Sequence, residues 1–258
     1  MTIGALEPGV LLVDKAAGRT SFSVVRDLRK LTGVKKIGHA GTLDPFATGL
    51  LVMCLGRQAT RLSGVLMEGS KEYHATITLG SVSTTLDPEG EVSRTSGFEP
   101  LPAGRVTAVL TGFTGTIMQK PPLYSALKHK GRPLYKYARR GEPVEKPPRP
   151  VSIESLQWLN PRPVIGDDDR SLVLRVRCGK GTYIRSLAAD IGEKLGTGGY
   201  LAALRRERSG PFSVNESVAT ARLQAADSIE TVRAAMIGLA ELRKILRISD
   251  KVATLQNS

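Results

Sequence analysis

The strongest constraint on how this chain can fold is its punctuation: 27 Gly and 15 Pro are scattered through 258 residues, and the apolar runs between them are short. A chain interrupted this often does not suit a bundle of long helices and favours a sheet-rich mixed fold with elaborate loops. VLLVD at 10–14 and LVMCL at 51–55 read as buried strands. YHATITL at 73–79, VSIESLQW at 151–158 and SLVLRVR at 171–177 alternate with period two, as half-buried strands do. Helices are fewer. Thr20 or Ser21 can cap one whose apolar positions Val24, Val25, Leu28 and Leu31 recur at helical spacing, with Gly33 placed to end it. A second is expected through RSLAADIGEKLG, ending at Gly196, and a third from about Ile229 to Leu246 along a stripe of Val232, Met236, Leu239, Ala240 and Leu242. No strand–helix–strand alternation opens on GxGxxG, so a dinucleotide fold is disfavoured, and no internal repeat is present.

Composition narrows the partner. The chain carries 37 Lys and Arg against 24 Asp and Glu, a net +13, while 41 % of its residues are hydrophobic. It is therefore a folded protein of one large or two ordinary domains whose first expected partner is a polyanion. Two cysteines, Cys54 and Cys178, and three separated histidines make neither a disulfide framework nor a metal centre. No apolar stretch is long enough to span a membrane, and the N-terminus lacks the pattern of a signal peptide. A cytoplasmic protein is expected, with nucleic acid as the polyanion. The charge is concentrated: between Lys120 and Pro150 stand nine basic residues and two acidic ones, a net +7, together with three tyrosines and seven prolines. Basic residues interleaved with aromatics suit a surface that follows a nucleic-acid backbone. The prolines argue for a long ordered or binding-induced loop over a plain helix.

The most unusual segment is GHAGTLDPFATGLL at 38–51, in which glycines and a proline surround His39, Thr42 and Asp44. Taken alone, an Asp before a Pro in such a loop is a turn residue, and a lone His is a structural hydrogen-bonding group. The segment gains meaning from its company. It resembles the GHxGxLDPxATGxL loop of the bacterial tRNA pseudouridine synthase B family. Four further motifs follow that family's order: VLLVDKAAGRTSFSVV at 10–25, KEYHATITLG at 71–80, GTIMQKPPLYSALKHKGRPLYKYARRGEPVE at 115–145, and CGKGTYIRSLAADIGEKLGTGGYLAALRRERSGPF at 178–212. The resemblance spans about residues 9–214.

The resemblance implies an α+β pseudouridine synthase fold: a mixed, mostly antiparallel sheet flanked by helices and loops, with a basic thumb insertion at 120–150. It implies a catalytic domain over 1–225, followed by a C-terminal helix and tail at 226–258 with no complete PUA domain. The implied reaction isomerises uridine to pseudouridine at position 55 in the T loop of tRNA, with the target base flipped out of its stack. The base leaves N1 and rejoins the sugar through C5, a change that requires no cofactor and no metal. Asp44 matches the essential aspartate, Arg185 the cation that keeps such a carboxylate ionised when desolvated, and Tyr73 a tyrosine against the base that is a candidate for proton transfer. In the substrate-binding set, Tyr183 matches a second active-site tyrosine, His39 the residue that fills space left by flipped bases, and Leu204 an apolar residue beneath the uracil. Lys15 and Lys71 stand in basic positions expected to contact RNA or stabilise the site. Lys128, Lys130, Arg132, Arg139 and Arg140 are the expected RNA-binding cations of the thumb, and the T stem-loop is the expected partner of a monomeric enzyme.

The chain departs from the family pattern in three places. Ala16 replaces a usual proline; Ser83 and Thr84 stand where Thr and Asp are common, although Leu79, Gly80, Thr85, Asp87 and Gly90 are kept; and no PUA-like strand pattern follows the last helix. Two alternatives use the same surface: a guide-RNA-dependent relative, disfavoured by that C-terminus and by the bacterial-type thumb, and a non-catalytic tRNA-folding chaperone, which would not need Asp44.

Overall fold

A computed structural model describes residues 6–226 and 228–247. The chain divides into two compact units, Met1–Gly69 with Arg206–Ser258, and Ser70–Arg205.

In the first unit, strand β1 (Gly9–Lys15) is followed by helix α1 (Ser21–Thr32), β2 (Ile37–His39), β3 (Thr48–Leu55) and the short α2 (Arg57–Arg61). β1 and β3 pair antiparallel from Gly9↔Leu55 to Lys15↔Gly49, and β2 pairs antiparallel with the end of β3. Val10 to Val13 and Leu50 to Leu55 are all buried, so these strands are covered on both faces, as their unbroken apolar runs require. Thr20, not Ser21, caps α1: its side chain accepts the Ser23 N–H at 3.0 Å, and the helix ends on Gly33 in the left-handed region at φ 69°. The helix buries Val24, Val25 and Leu28.

In the second unit, β4 (Lys71–Leu79) precedes helix α3 (Ala103–Gly112), β5 (Gly115–Gln119), the small hairpin β6 (Lys128–His129) and β7 (Arg132–Pro133), helix α4 (Leu134–Ala138), β8 (Arg149–Trp158), β9 (Ser171–Cys178) and helix α5 (Ile184–Leu195). β4 pairs antiparallel with β9, β9 with β8, and β8 with β5. Ala75, Ile77 and Leu79 of β4 and Leu172, Leu174 and Val176 of β9 are buried on the alternating pattern. α5 packs on β4 and α3 through the face of Leu187, Ile191 and Leu195, all at 1 % exposure or less. Strand β10 (Gly199–Ser209) begins in this unit and ends in the first.

The first unit closes with β11 (Val218–Ala219), parallel to β1, then α6 (Glu230–Ala234), β12 (Met236–Gly238) and α7 (Leu239–Leu246). The fold is thus α+β with mostly antiparallel pairing. One expected element is corrected: the single helix from Ile229 to Leu246 is two helices joined by a strand. Met236, Ile237 and Gly238 pair antiparallel with Leu11, Val10 and Gly9, supplying partners to main-chain groups of β1. Gly238, which weakens a helix interior by about 1 kcal/mol, stands instead just before α7. α7 buries Leu242 in a core with Val10, Leu12, Val52 and Cys54. The expected tail beyond residue 247 lies outside the described residues.

Candidate active site

Asp44 lies half-buried in the loop joining β2 to β3. That loop is fixed on both sides of the carboxylate by groups from elsewhere in the first unit. Ser21 Oγ both accepts the Leu43 N–H, at 3.0 Å, and donates to the Leu43 carbonyl, at 3.1 Å. This explains why Ser21 is not the helix cap. The Pro45 carbonyl accepts from the Gly18 N–H at 2.9 Å and from Lys15 Nζ at 3.1 Å. The two ends of the loop are joined by Arg206 of β10, which donates through Nε to the Leu50 carbonyl at 2.6 Å and through Nη2 to the Gly41 carbonyl at 3.1 Å. Gly49 is required here: at φ 96° its missing Cβ would stand 2.3 Å from the Arg206 carbonyl oxygen.

Lys15 is fully buried, and Nζ also donates to the carbonyls of Ala16 at 3.0 Å and Arg19 at 2.7 Å. Its three donors are engaged on main-chain oxygens. Of the two roles expected for Lys15, contact with RNA or support of the site, these bonds match the second: the ammonium braces the Asp44 loop. His39, at the end of β2, has its pKa lowered by burial and then by the Arg206 guanidinium, so near neutral pH the imidazole is uncharged.

The second unit carries the remaining expected residues. Arg185, in the first turn of α5, is 4 % exposed and faces Asp87, itself 2 % exposed, with Nη1 3.1 Å from Oδ2. Nη1 also donates to the Thr85 carbonyl at 3.0 Å and Nη2 to the Tyr124 carbonyl at 2.7 Å. Asp87 in turn accepts from Thr85 Oγ1 at 2.5 Å and from the Glu89 N–H at 3.0 Å. Every charge in the pair therefore has supporting hydrogen bonds, and removing one partner from such a buried pair costs about 3–5 kcal/mol. Lys71 is buried and Tyr73 half-buried on β4, opposite Cys178 and Val176 of β9. Leu204 is buried on β10.

The start of α5 also holds the root of the thumb. Tyr183, just before the helix, exchanges two main-chain bonds with the Gln119 side chain, and Ser186 Oγ donates to the Lys120 carbonyl at 2.9 Å. Beyond that root the thumb is ordered as the β6–β7 hairpin, whose turn places Lys130 and Gly131 at φ 46° and 80°, followed by α4. Leu134 anchors it at 1 % exposure, and Tyr137 Oη donates to the His129 carbonyl at 3.1 Å. Lys128, Lys130, Arg132, Arg139 and Arg140 are all exposed. The Arg139 guanidinium lies 5.5 Å from the centre of the Tyr135 ring.

Several residues of the site have no role that could be read from the sequence. Asp87 stands there only as a retained loop position, while Ser21, Gln119 and Arg206 act on main-chain groups distant in sequence and leave no periodic signal. Lys36, Arg57, Thr60 and Arg61 line a shallow, open depression on the surface of the first unit. Arg57 and Arg61, four residues apart on α2, were its one legible sign. Among the described residues no group of three or more His, Cys, Asp or Glu side chains could hold a metal, and no helix is long and apolar enough to cross a membrane.

Residues 29–184 match the TruB family pseudouridylate synthase (N terminal domain), and 185–252 match the tRNA pseudouridylate synthase B C-terminal domain. The second match carries the likeness past the last motif noted in the sequence. The tRNA pseudouridine synthase B of Desulfotalea psychrophila is 48 % identical over 241 residues, covering 93 % of this chain and 97 % of that protein. The same-named protein of Pseudomonas fluorescens is 48 % identical over 219 residues, 84 % of this chain and 68 % of its own. Among solved structures, a chain from a Cbf5-Nop10-Gar1 complex superposes with a TM-score of 0.66 at 29 % identity over 92 % of this chain, which spans 62 % of that longer chain. A chain of an H/ACA RNP bound to a substrate RNA containing 2'-deoxyuridine matches with the same TM-score at 26 % identity, over 92 % of this chain and 61 % of its own.

Proposed function

The chain belongs to the TruB family of pseudouridylate synthases, and from that premise we propose that it isomerises uridine 55 in the T loop of tRNA, acting as a monomer in the cytoplasm. The observation that carries this reading is the bracing of the Asp44 loop by Ser21, Lys15 and Arg206. A turn aspartate with no chemical task does not need anchors on both flanks; a carboxylate that must meet a sugar or a base at fixed geometry does. The higher identity to bacterial tRNA enzymes, 48 % against 29 % for the Cbf5 chain, favours free tRNA over a guide-directed substrate.

In this reading Asp44 is the essential carboxylate, and Arg185, whose charge is buried against Asp87, is the site cation by its likeness to the family motif. The N1–C1′ bond breaks, the uracil turns, C5 bonds to C1′, the C5 proton passes to solvent, and N1 takes up a proton in exchange. In the same reading Tyr73 is the candidate that meets the base and moves the C5 proton, and Tyr183 and Leu204 bound the base pocket. Neutral His39 fills the gap left by flipping. The exposed thumb cations contact phosphates of the T stem, because A-form helices present backbone and shape rather than readable base edges. Lys36, Arg57 and Arg61 offer a second basic surface for the same backbone.

The test is release of tritium from tRNA transcript carrying C5-tritiated uridine. Wild type is expected to release it, and Asp44→Asn to bind tRNA normally and release none. Equal absence of release from both, with binding intact, would leave only an RNA-binding or chaperone role.

A further inference from the structure

We propose that Gln119 and Arg149 form a two-part clamp that positions the Tyr183 ring, Gln119 fixing its main chain and Arg149 its ring plane. The proposal rests on the reading of Tyr183 as a wall of the base pocket.

Gln119 and Arg149 are direct cross-strand partners, on β5 and β8. Gln119 is 1 % exposed, and its amide is closed on one residue: Oε1 accepts the Tyr183 N–H at 2.8 Å, and Nε2 donates to the Tyr183 carbonyl at 3.1 Å. This is the pattern of a paired strand residue, supplied by a side chain. It leaves the ring free to turn about its side-chain torsions. Arg149 restricts that freedom. Its guanidinium carbon stands 5.5 Å from the centre of the Tyr183 ring, within cation–π range. The guanidinium is held in turn by a 2.9 Å bond from Nη2 to the Gly181 carbonyl, two residues before the tyrosine. Gly181 has φ 85°, and a Cβ there would stand 3.2 Å from the same nitrogen, so the loop closes around the guanidinium where no side chain intrudes. A planar donor set that bonds a carbonyl while facing a ring is a property of arginine that lysine lacks. The net +7 of segment 120–150 therefore includes a cation assigned to Tyr183 rather than to RNA.

The experiment combines single-turnover tritium release at saturating enzyme, tRNA affinity against salt, and fluorine spectra of protein in which the six tyrosines are 3-fluorotyrosine, the Tyr183 signal being identified by Tyr183→Phe. Arg149→Met is expected to shift the Tyr183 signal and lower the saturated rate about tenfold, the order expected for loss of alignment, with affinity and salt slope unchanged. Arg149→Lys is expected not to restore the rate. In a Tyr183→Leu background, Arg149→Met should lower the rate by less than about twofold further, because the two act as one unit. An unmoved Tyr183 signal, fully additive rate losses, or a shallower salt slope with an unchanged saturated rate would each overturn the clamp, the last assigning Arg149 to a phosphate. If wild type released no tritium, the functional reading would fall while the fluorine signal still decided the clamp.

Discussion

In the loop between β2 and β3 the anchors are buried groups set on main-chain atoms: Ser21 on Leu43, Lys15 on Pro45, Arg206 on Gly41 and Leu50. In the thumb the corresponding cations, Lys128, Lys130, Arg132, Arg139 and Arg140, are exposed, and Leu134 supplies the buried anchor. The same residue types thus serve opposite ends. A buried Lys or Arg directed at carbonyls stiffens a loop at the cost of desolvation; an exposed one keeps its charge for a partner and contributes little to folding. A reacting carboxylate needs the first treatment and a polyanion-binding surface the second.

The largest effect is expected at Arg206. Arg206→Met leaves the Leu50 and Gly41 carbonyls without these donors and should cost roughly 2–4 kcal/mol of stability, read as a fall in Tm, together with a drop of about a hundredfold or more in the saturated rate. Ser21→Ala strands the Leu43 N–H and should cost about 1–3 kcal/mol with a smaller loss of rate. A stable, fully active Arg206→Met would show that the loop needs no such closure.

Two pH-dependent predictions are smaller. Asp190 on α5 has its pKa pushed up to about 6 by burial and then by Glu193. Between the ordinary value of 3.8 and about 6 the folded state therefore binds more protons, and the charged carboxylate opposes folding as pH rises through that window. Asp190→Asn should stabilise by about 1–2 kcal/mol near pH 7.5, after allowance for its partial exposure, and by nothing near pH 4. His39 acts in the opposite direction. Its lowered pKa means that the unfolded chain takes up the proton first as pH falls below about 6.5, so wild type should lose up to about 1 kcal/mol more than His39→Gln between pH 7.5 and 5.5. Thermal unfolding of both variants across pH checks both signs.

How far the sequence discloses this division depends on the kind of interaction. The strands of VLLVD and LVMCL, the α1 cap and the α5 stripe are local patterns, and the structure contains them at nearly the expected bounds. Strand β10 carries no strand pattern in its sequence, because GYLAALRRERS is rich in helix formers and its conformation is set by tertiary context. The helix expected over Ile229–Leu246 failed for a related reason, since pairing of Met236–Gly238 with β1 outweighs a helical apolar spacing. Motif likeness identified Asp44, Tyr73, Tyr183 and Arg185 as candidates. It did not disclose that Lys15 is buried on carbonyls or that Arg206 closes the loop, because a side chain bonded to distant main-chain atoms imposes no pattern on its neighbours.

The most direct test measures two quantities in two variants: the single-turnover rate at saturating enzyme and the Kd for tRNA, in Ser21→Ala and in a variant with Lys128, Lys130, Arg139 and Arg140 replaced by Gln. The loop variant should lose rate with its Kd unchanged. The thumb variant should bind more weakly, with a salt slope reduced by up to about 0.7–0.9 per lost phosphate contact, and recover the wild-type rate once saturated. A loop variant impaired only in binding, or a thumb variant that binds normally but reacts slowly at saturation, would contradict the division of labour between the two regions.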